Sequence, residues 1–492
     1  MSDSSLLTPG RNCWRIERAD AASVIVDAED YFRLARAAMR TAKHQILLIG
    51  WDFDARIKLV DDDTDDAPTH IGNYIDWLVR RTPELQIYLL RWDMGALKAL
   101  FRGRNLVTLL RWWRHRRIHL KLDRFHPAGA SHHQKIVVID DCIAFCGGID
   151  MTVDRWDTRG HLDDDPRRTE PNGAPYAPWH DATTALSGPV AAALGELCRD
   201  RWHRAGGRHI AAPPETAACW PDGLDRQFTD CSIAISRTYP AMTDQPPVHE
   251  IEQLYLDAIE RAERWIYAES QYFASRRIAE AIARRLQEEN GPEIVILNPV
   301  VADGWLEQEA MDSARAQLLK TLQKLDTHNR LRVYHAETAG GTPIYIHAKV
   351  TIIDGRVLRV GSSNFNNRSM RLDTECDVTI DAEHPGNGPC ANRIEAIAHD
   401  LIAEHLGCEA ALVAERFAAT GSLIRTIESL RSTGRRMRPY RFPELNEAEQ
   451  WLADNEVLDP ENPQDMFEPM HNPGLLHRLR VRLRLASRKT RR

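Results

Sequence analysis

The chain has 492 residues, 43% hydrophobic and 27% charged, which is enough apolar material for more than one buried core and excludes a disordered polypeptide. Its formal charge of -7 conceals an acidic body, since residues 471–492 carry eight basic side chains and no acidic one, leaving -15 for the rest. That balance disfavours a protein that grips nucleic acid with a broad positive face, because non-specific affinity for a polyanion comes mainly from neutralising phosphates.

Residues 1–12 lack a basic stretch followed by an apolar one, so no secretory signal is expected, and no apolar run is long enough to span a bilayer. The first predicted strand runs from Ile46 to Trp51, the first helix from Ile71 to Arg81, and a second strand from Ile87 to Leu90. The stretch Lys98 to Arg117 holds seven basic residues and no acid, with Leu106, Leu109, Leu110, Trp112 and Trp113 interleaved. It reads as an amphipathic helix whose aromatic side either rests on lipid headgroups or completes the core. An apolar strand follows from Ile136 to Ile139, then an exposed loop around Asp163 to Asn172 and a Pro-containing connection over 211–224. The order then repeats: strand Trp265 to Ala268, helix Ile278 to Leu286, strand Ile294 to Leu297 and strand Val350 to Ile353. Strands alternating with helices predict a parallel-rich sheet covered by helices, hence an α/β protein of two tandem sandwiches. The expected boundaries are 1–215 for the first domain, 225–440 for the second and 441–492 for an appendage ending in the basic tail. Nine cysteines, an odd number without a C-x-x-C pair, fit free thiols in a reducing compartment, so a cytoplasmic location is expected.

The repeat carries a motif. His133-Gln134-Lys135 with Asp140 five residues later recurs as His347-Ala348-Lys349 with Asp354, at an offset of 214 residues. Each copy is trailed by a small-residue turn, Gly147-Gly148-Ile149-Asp150 and Gly361-Ser362-Ser363-Asn364. Alternation along a strand puts the His and Lys of each copy on one face, so each can present an imidazole and an ammonium to one phosphate. This pattern resembles the phospholipase D superfamily, whose HxKx4D motifs occur in pairs that meet across a pseudo-twofold axis. The flanking runs agree: Arg155-Trp156-Asp157-Thr158 after the first motif, and Ile266-Tyr267-Ala268-Glu269-Ser270-Gln271-Tyr272-Phe273, similar to the family's "IYIENQYF" strand. The resemblance covers roughly residues 10–440 and favours phospholipase D proper over the cardiolipin synthase and nuclease branches.

The resemblance implies two phospholipase D-like α/β/α sandwich domains and one shared site. His133 would attack phosphorus to give a phosphohistidine and His347 would act as general acid and then base, with Lys135 and Lys349 neutralising the non-bridging oxygens. Asp140 and Asp354 belong to the motifs, although an Asp closing a strand is more often a turn residue. Each imidazole needs an acid to fix its tautomer: the run ending in Glu375 supplies one in the second half, and Pro178-Trp179-His180-Asp181 places Asp181 opposite His133 in the first. Ser362, Asn364, Gly147 and Gly148 are expected around the phosphate, with Asp150 turned away from it or paired. No cofactor and no metal site is expected, for no metal-ligand cluster is legible. The implied activity is hydrolysis of phosphatidyl headgroup esters to phosphatidic acid, with possible transfer to an alcohol. The alternatives are a cardiolipin-synthase-like phosphatidyltransferase and a nucleic-acid phosphodiesterase. The implied partner is a phospholipid surface, touched through 98–117 and 471–492, on the inner face of the membrane; nucleic acid is not expected, and oligomeric state is not legible.

Overall fold

The computed structural model describes residues 5–61, 65–92, 105–216, 219–242, 245–301, 305–431, 434–441 and 459, and of 105–107 and 305–310 the backbone only. Residues 98–104 of the basic stretch 98–117 and the whole tail 471–492 lie outside the described residues.

The first repeat forms a seven-stranded sheet. Strands β2 (Gln45–Gly50), β3 (Gln86–Trp92) and β4 (Ile118–Asp123) run parallel. On the other side of β2 follow, all antiparallel, β5 (Ile136–Ile139), β6 (Ile143–Gly147), β8 (Ala182–Ser187) and β1 (Arg15–Val26). The second repeat has the same order: β13 (Leu331–Glu337), β12 (Glu293–Leu297) and β11 (Trp265–Glu269) parallel, then β15 (Val350–Ile353), β16 (Val357–Gly361), β17 (Glu375–Asp381) and β9 (Phe228–Tyr239) antiparallel. The expected strands and helices are therefore present, but only three strands of each sheet are parallel. The motif strand returns through a tight hairpin, and a hairpin can join only antiparallel neighbours.

The two sheets join edge to edge through β1 and β9, an antiparallel pair in which Arg18 lies opposite Ser232, the residue 214 places further along. The strand that closes one repeat is thus covered by its counterpart in the other, and neither leaves that edge unpaired. Alternation sorts the side chains. Ile46 and Leu48 of β2 face α1 (Ala28–Arg40) and α2 (Ile71–Arg81), whereas Leu47 and Ile49 face the core shared by both repeats. In the second repeat Ile266 and Ala268 face α5 (Glu250–Arg261) and α6 (Arg276–Gln287), while Trp265 and Tyr267 face the shared core. The shared core also takes α4 (Pro189–Arg204) and α8 (Cys390–Leu406), which makes each repeat an α/β/α sandwich.

Asp140 and Asp354 are hairpin residues. Each adopts positive φ, 49° and 55°, and each carboxylate accepts three backbone N–H groups, from Lys43, His44 and Gln45 in one repeat and Glu263, Arg264 and Trp265 in the other. These N–H groups open the first strand of each parallel set, so the motif's Asp pins two strands together rather than reaching substrate, which corrects its placement among the catalytic groups. Asp140→Ala is expected to destabilise the chain by about 3 kcal/mol, since it leaves the buried Gln45 N–H and two part-buried N–H groups unpaired. Denaturant unfolding would register this, while turnover per folded molecule stays within a few-fold.

Two further expectations change. Cys142 and Cys219 form a disulfide that ties the connection between the repeats to the first motif's hairpin. The reading of nine free thiols, and the reducing compartment inferred from it, lose that footing. In α3 (Asn105–Trp113) the two tryptophans part company: Trp112 is buried against Phe53 and donates to Asp76, whereas Trp113 is 70% and Leu110 50% exposed. No helix among the described residues is long and apolar enough to cross a membrane.

Candidate active site

Just before each motif the chain crosses to the other repeat. His132 forms a parallel bridge to Thr374, and β14 (Pro343–Ile346) pairs in parallel with β7 (Trp179–His180), so Ile346 lies beside His180. The backbone N–H of His133 donates to Thr374 and that of His347 to His180. The acids that follow, Glu375 and Asp181, are consequently delivered to the histidine of the opposite repeat. His133 Nδ1 lies 3.0 Å from both oxygens of Glu375, and His347 Nδ1 lies 2.6 Å from Asp181 Oδ2. The expected pairing of each acid with the histidine of its own repeat is thereby corrected. The two repeats exchange acids because the strand that carries each acid is hydrogen-bonded to the approach segment of the other motif.

Glu375 also accepts from Ser362 Oγ at 2.5 Å and Ser369 Oγ at 2.7 Å, the latter presented by a single π-helical turn, Arg368–Leu372. Asp181 is held by the backbone: its N–H donates to Asp27 and its side chain accepts from Ala182 N–H at 2.8 Å. With Nδ1–H committed to a carboxylate, each neutral imidazole keeps the lone pair on Nε2. Burial, followed by the Lys135 and Lys349 ammonium groups, holds His133 well below the usual imidazole range. Burial and Lys349, joined by Arg155, Lys135 and His133, do the same to His347. Those mutual influences place both motifs in one electrostatic site.

The lysines are not equivalent. Lys135 Nζ sits 3.2 Å from Asp150, so the turn acid is paired, and the same carboxylate accepts from Trp51 N–H. At the matching place in the second repeat stands Asn364, whose side-chain oxygen accepts from Gln271 N–H. An amide offers no charge, and among the described residues no carboxylate lies within ion-pair distance of Lys349. Burial pushes Lys349 down to about 7, with Lys135 adding to the effect and Asp181 opposing it.

The remaining expected groups do other work. Gly147 N–H donates to Lys135 C=O and Gly148 N–H to Ala182 C=O, so neither backbone donor is available to a phosphate, which corrects that expectation. A Cβ at Gly148 would stand 2.2 Å from Asp181 Oδ1, and this close approach requires glycine where the second repeat has Ser362. Ser362 Oγ is engaged with Glu375. Arg155 went unassigned in the sequence: it lies over the Trp179 ring at 4.3 Å, and Trp179 in turn stacks on Tyr345 at 4.5 Å and flanks His347. Its sequence signal was its place four residues beyond Met151, in the run after the first motif.

A second constellation lies behind Asp181. Among the described residues Asp27, His161, His180 and Glu404 bring ligand-type atoms within 4.8 Å of one another, and His180, Glu269 and His405 do likewise. No short spacing in the sequence announces this grouping, whose members come from separate stretches of chain.

Two family descriptions match the chain, "Phospholipase D" over residues 38–281 and "Cardiolipin synthase, PLD-like domain" over 255–399. The chain is similar to phospholipase D alpha 4 of Arabidopsis thaliana, 21% identical over 75% of this chain and 62% of that one. It is also similar to phospholipase D A of Dictyostelium discoideum, 25% identical over 73% of this chain and 33% of that one. The chain thus spans less than two thirds of the length of these relatives. Its fold is similar to that of a phosphatidylserine synthase from Haemophilus influenzae Rd KW20, with a TM-score of 0.52, 14% identity, and coverage of 77% of this chain and 88% of that one. Paired motifs, a duplicated α/β/α fold and a site shared by both copies define the class of two-repeat protein to which the chain conforms. The chain belongs to the phospholipase D superfamily.

Proposed function

We propose that the protein is a phospholipase D that cleaves the headgroup phosphodiester of a phosphatidyl lipid to phosphatidic acid, with alcohols able to replace water as acceptor. The observation that carries this reading is the pair of imidazoles, His347 buried and His133 partly so, each tethered at Nδ1 to a carboxylate of the opposite repeat and each beside a lysine. His133 Nε2 attacks phosphorus as the bond to the headgroup oxygen breaks, and that oxygen takes a proton from the His347 imidazolium. Water or an alcohol then attacks the phosphohistidine, giving up its proton to His347, and His133 departs. In the free protein burial, and after it the nearby ammonium groups, disfavour the protonated form of both imidazoles. An entering phosphodiester anion offsets that positive charge and restores the proton affinity of His347. Lys135 and Lys349 stabilise charge on the non-bridging oxygens.

The test is a purified-protein assay on phosphatidylcholine vesicles with ethanol present, read by mass spectrometry. Phosphatidic acid and phosphatidylethanol are the expected products. Cleavage of DNA with no lipid product would replace this reading with the nucleic-acid one.

Lys349 sets a pH dependence. Its ammonium is the active form and is lost as pH rises through about 7, so kcat/KM should decline above neutrality. Asn364→Asp would give Lys349 a carboxylate partner like the one Asp150 gives Lys135 and is expected to move that decline upward by about one pH unit. An unmoved alkaline limb would assign it to another group.

The exposed Trp113 and Leu110 support peripheral contact with a lipid surface. Trp113→Ala should weaken sedimentation with anionic vesicles several-fold and leave turnover of a water-soluble phosphodiester unchanged. Equal vesicle binding by the variant would reject this surface.

A further inference from the structure

The cluster behind Asp181 has the geometry of a metal centre. Asp27 stands between β1 and α1, His161 in the long loop after the first motif, His180 on β7, and Glu404 on α8 of the second repeat. All four are buried, at 1%, 1%, 0% and 4% exposure. His161 Nε2 lies 3.1 Å from Glu404 Oε1 and 3.5 Å from Asp27 Oδ2. His180 Nδ1 lies 2.8 Å from Glu404 Oε1 and 3.3 Å from Asp27 Oδ1. Four ligands about 2.0 Å from a tetrahedral zinc ion stand about 3.3 Å from one another, and the four His–carboxylate spacings, in which Asp27 turns one oxygen to each histidine, lie near that value.

Two further observations point inward. Asp27 Oδ2 and His180 Nδ1 are buried and make no hydrogen bond of good alignment, their near contacts being only with the other members of the cluster, which is costly for polar atoms unless something else satisfies them. Each imidazole has its other nitrogen on a carboxylate, His161 Nδ1 on Asp157 at 3.0 Å and His180 Nε2 on Glu269 at 2.9 Å, the arrangement by which metal-bound histidines are oriented. Glu269 is itself fixed by Tyr267 and His405. Four buried carboxylates, Asp27, Asp157, Glu269 and Glu404, meet two arginines, Arg168 on Asp157 and Arg159 on Glu404, and the two negative charges left over are balanced either by protonation of both imidazoles or by one dication.

We propose that Asp27, His161, His180 and Glu404 bind one Zn2+ ion, which staples the second repeat's α8 to the first repeat immediately behind the active site. Two imidazoles and two carboxylates suit zinc, whereas Ca2+ and Mg2+ prefer all-oxygen shells. The ion is structural, for all four positions are taken by protein. Its mechanical consequence reaches Asp181, which follows His180 directly and exchanges two backbone-to-Asp27 hydrogen bonds, Asp181 N–H to Asp27 Oδ1 and Asp27 N–H to Asp181 C=O. The proposal stands independently of the lipid reading, because its test reads metal rather than turnover.

The full chain, expressed with zinc and dialysed against a weak chelator, should retain about one zinc per chain by elemental mass spectrometry. His161→Ala and Glu404→Gln should each lose it, while His133→Ala, whose partners are Thr374 and Glu375 rather than any of the four ligands, keeps it. Exchange of the native zinc for Co2+ should give the strong visible absorption of a tetrahedral site, a reading on the unaltered chain that holds even if a ligand variant fails to fold. Less than about a tenth of a zinc per chain after incubation with excess Zn2+, or no tetrahedral cobalt band, would overturn the proposal and leave the cluster as a buried hydrogen-bond network. Undiminished zinc in a folded His161→Ala would overturn it too, by locating the ion elsewhere.

Discussion

Alanine in place of His133 or of His347 is expected to lower phosphodiester turnover on the order of 10⁴-fold, with the fold intact. Two features make the loss large for both residues. One histidine supplies the electron pair that forms the covalent bond and the other the proton that lets the leaving oxygen depart, so removing either blocks the same first step. Neither has a substitute nearby: Lys135 is committed to Asp150 and the His133 carbonyl, and Lys349 donates to the His347 carbonyl. Because the two act as a unit, the double variant should be scarcely worse than either single one. Circular dichroism and thermal unfolding should match the parent, since both imidazoles sit at the site rather than in the hydrophobic clusters. Turnover within tenfold of the parent in either variant would refute a paired mechanism.

The second large effect concerns the acids. Glu375→Gln and Asp181→Asn preserve shape but replace a carboxylate by an amide that can present its N–H to the imidazole and favour the wrong tautomer. A loss of about 10²- to 10⁴-fold in kcat is expected from each. The crossed pairing gives the experiment a direction. In nitrogen NMR of the histidines, Glu375→Gln should perturb the His133 ring and leave His347 nearly unmoved, with Asp181→Asn doing the reverse. The opposite assignment would restore pairing within each repeat and contradict the His132–Thr374 and β7–β14 bridges. The side chains around Glu375 favour a full effect, for Ser362 and Ser369 both donate to it and an amide satisfies only part of that set.

Much of this architecture was legible because it is local and repeated. The strands at Ile136–Ile139 and Val350–Ile353 and the helix at Ile71–Arg81 fall where apolar periodicity placed them. The 214-residue offset seen in the motifs is the offset across the β1–β9 junction. What periodicity could not carry is which strand lies beside which. The exchange of Glu375 and Asp181 depends on two short bridges, one of them only two residues long, that leave no mark on local composition. The twenty or so extra residues between the first motif and Asp181 lie in the loop before β7, and most of Asp163 to Asn172 is exposed as read, but Arg168 is buried on Asp157 and Gly340 N–H donates to Asp163 across to the second repeat. The cluster of Asp27, His161, His180 and Glu404 comes from four separate stretches of chain, with no short spacing of the kind by which metal motifs are recognised. Asp140 was half legible: an Asp closing a strand reads first as a turn residue, and positive φ with three accepted N–H groups makes it one, although its place in the motif had set it beside the catalytic groups.

The most direct measurement is to mix the protein with a phosphatidylcholine of defined chain length, quench within milliseconds in alkaline denaturant, and search the digested peptides by mass spectrometry for a phosphatidyl adduct. The account expects the adduct on the peptide containing His133 in the parent chain and none in His133→Ala. Lipid turnover with no adduct on either His133 or His347, or with an adduct that persists when His133 is removed, would contradict it.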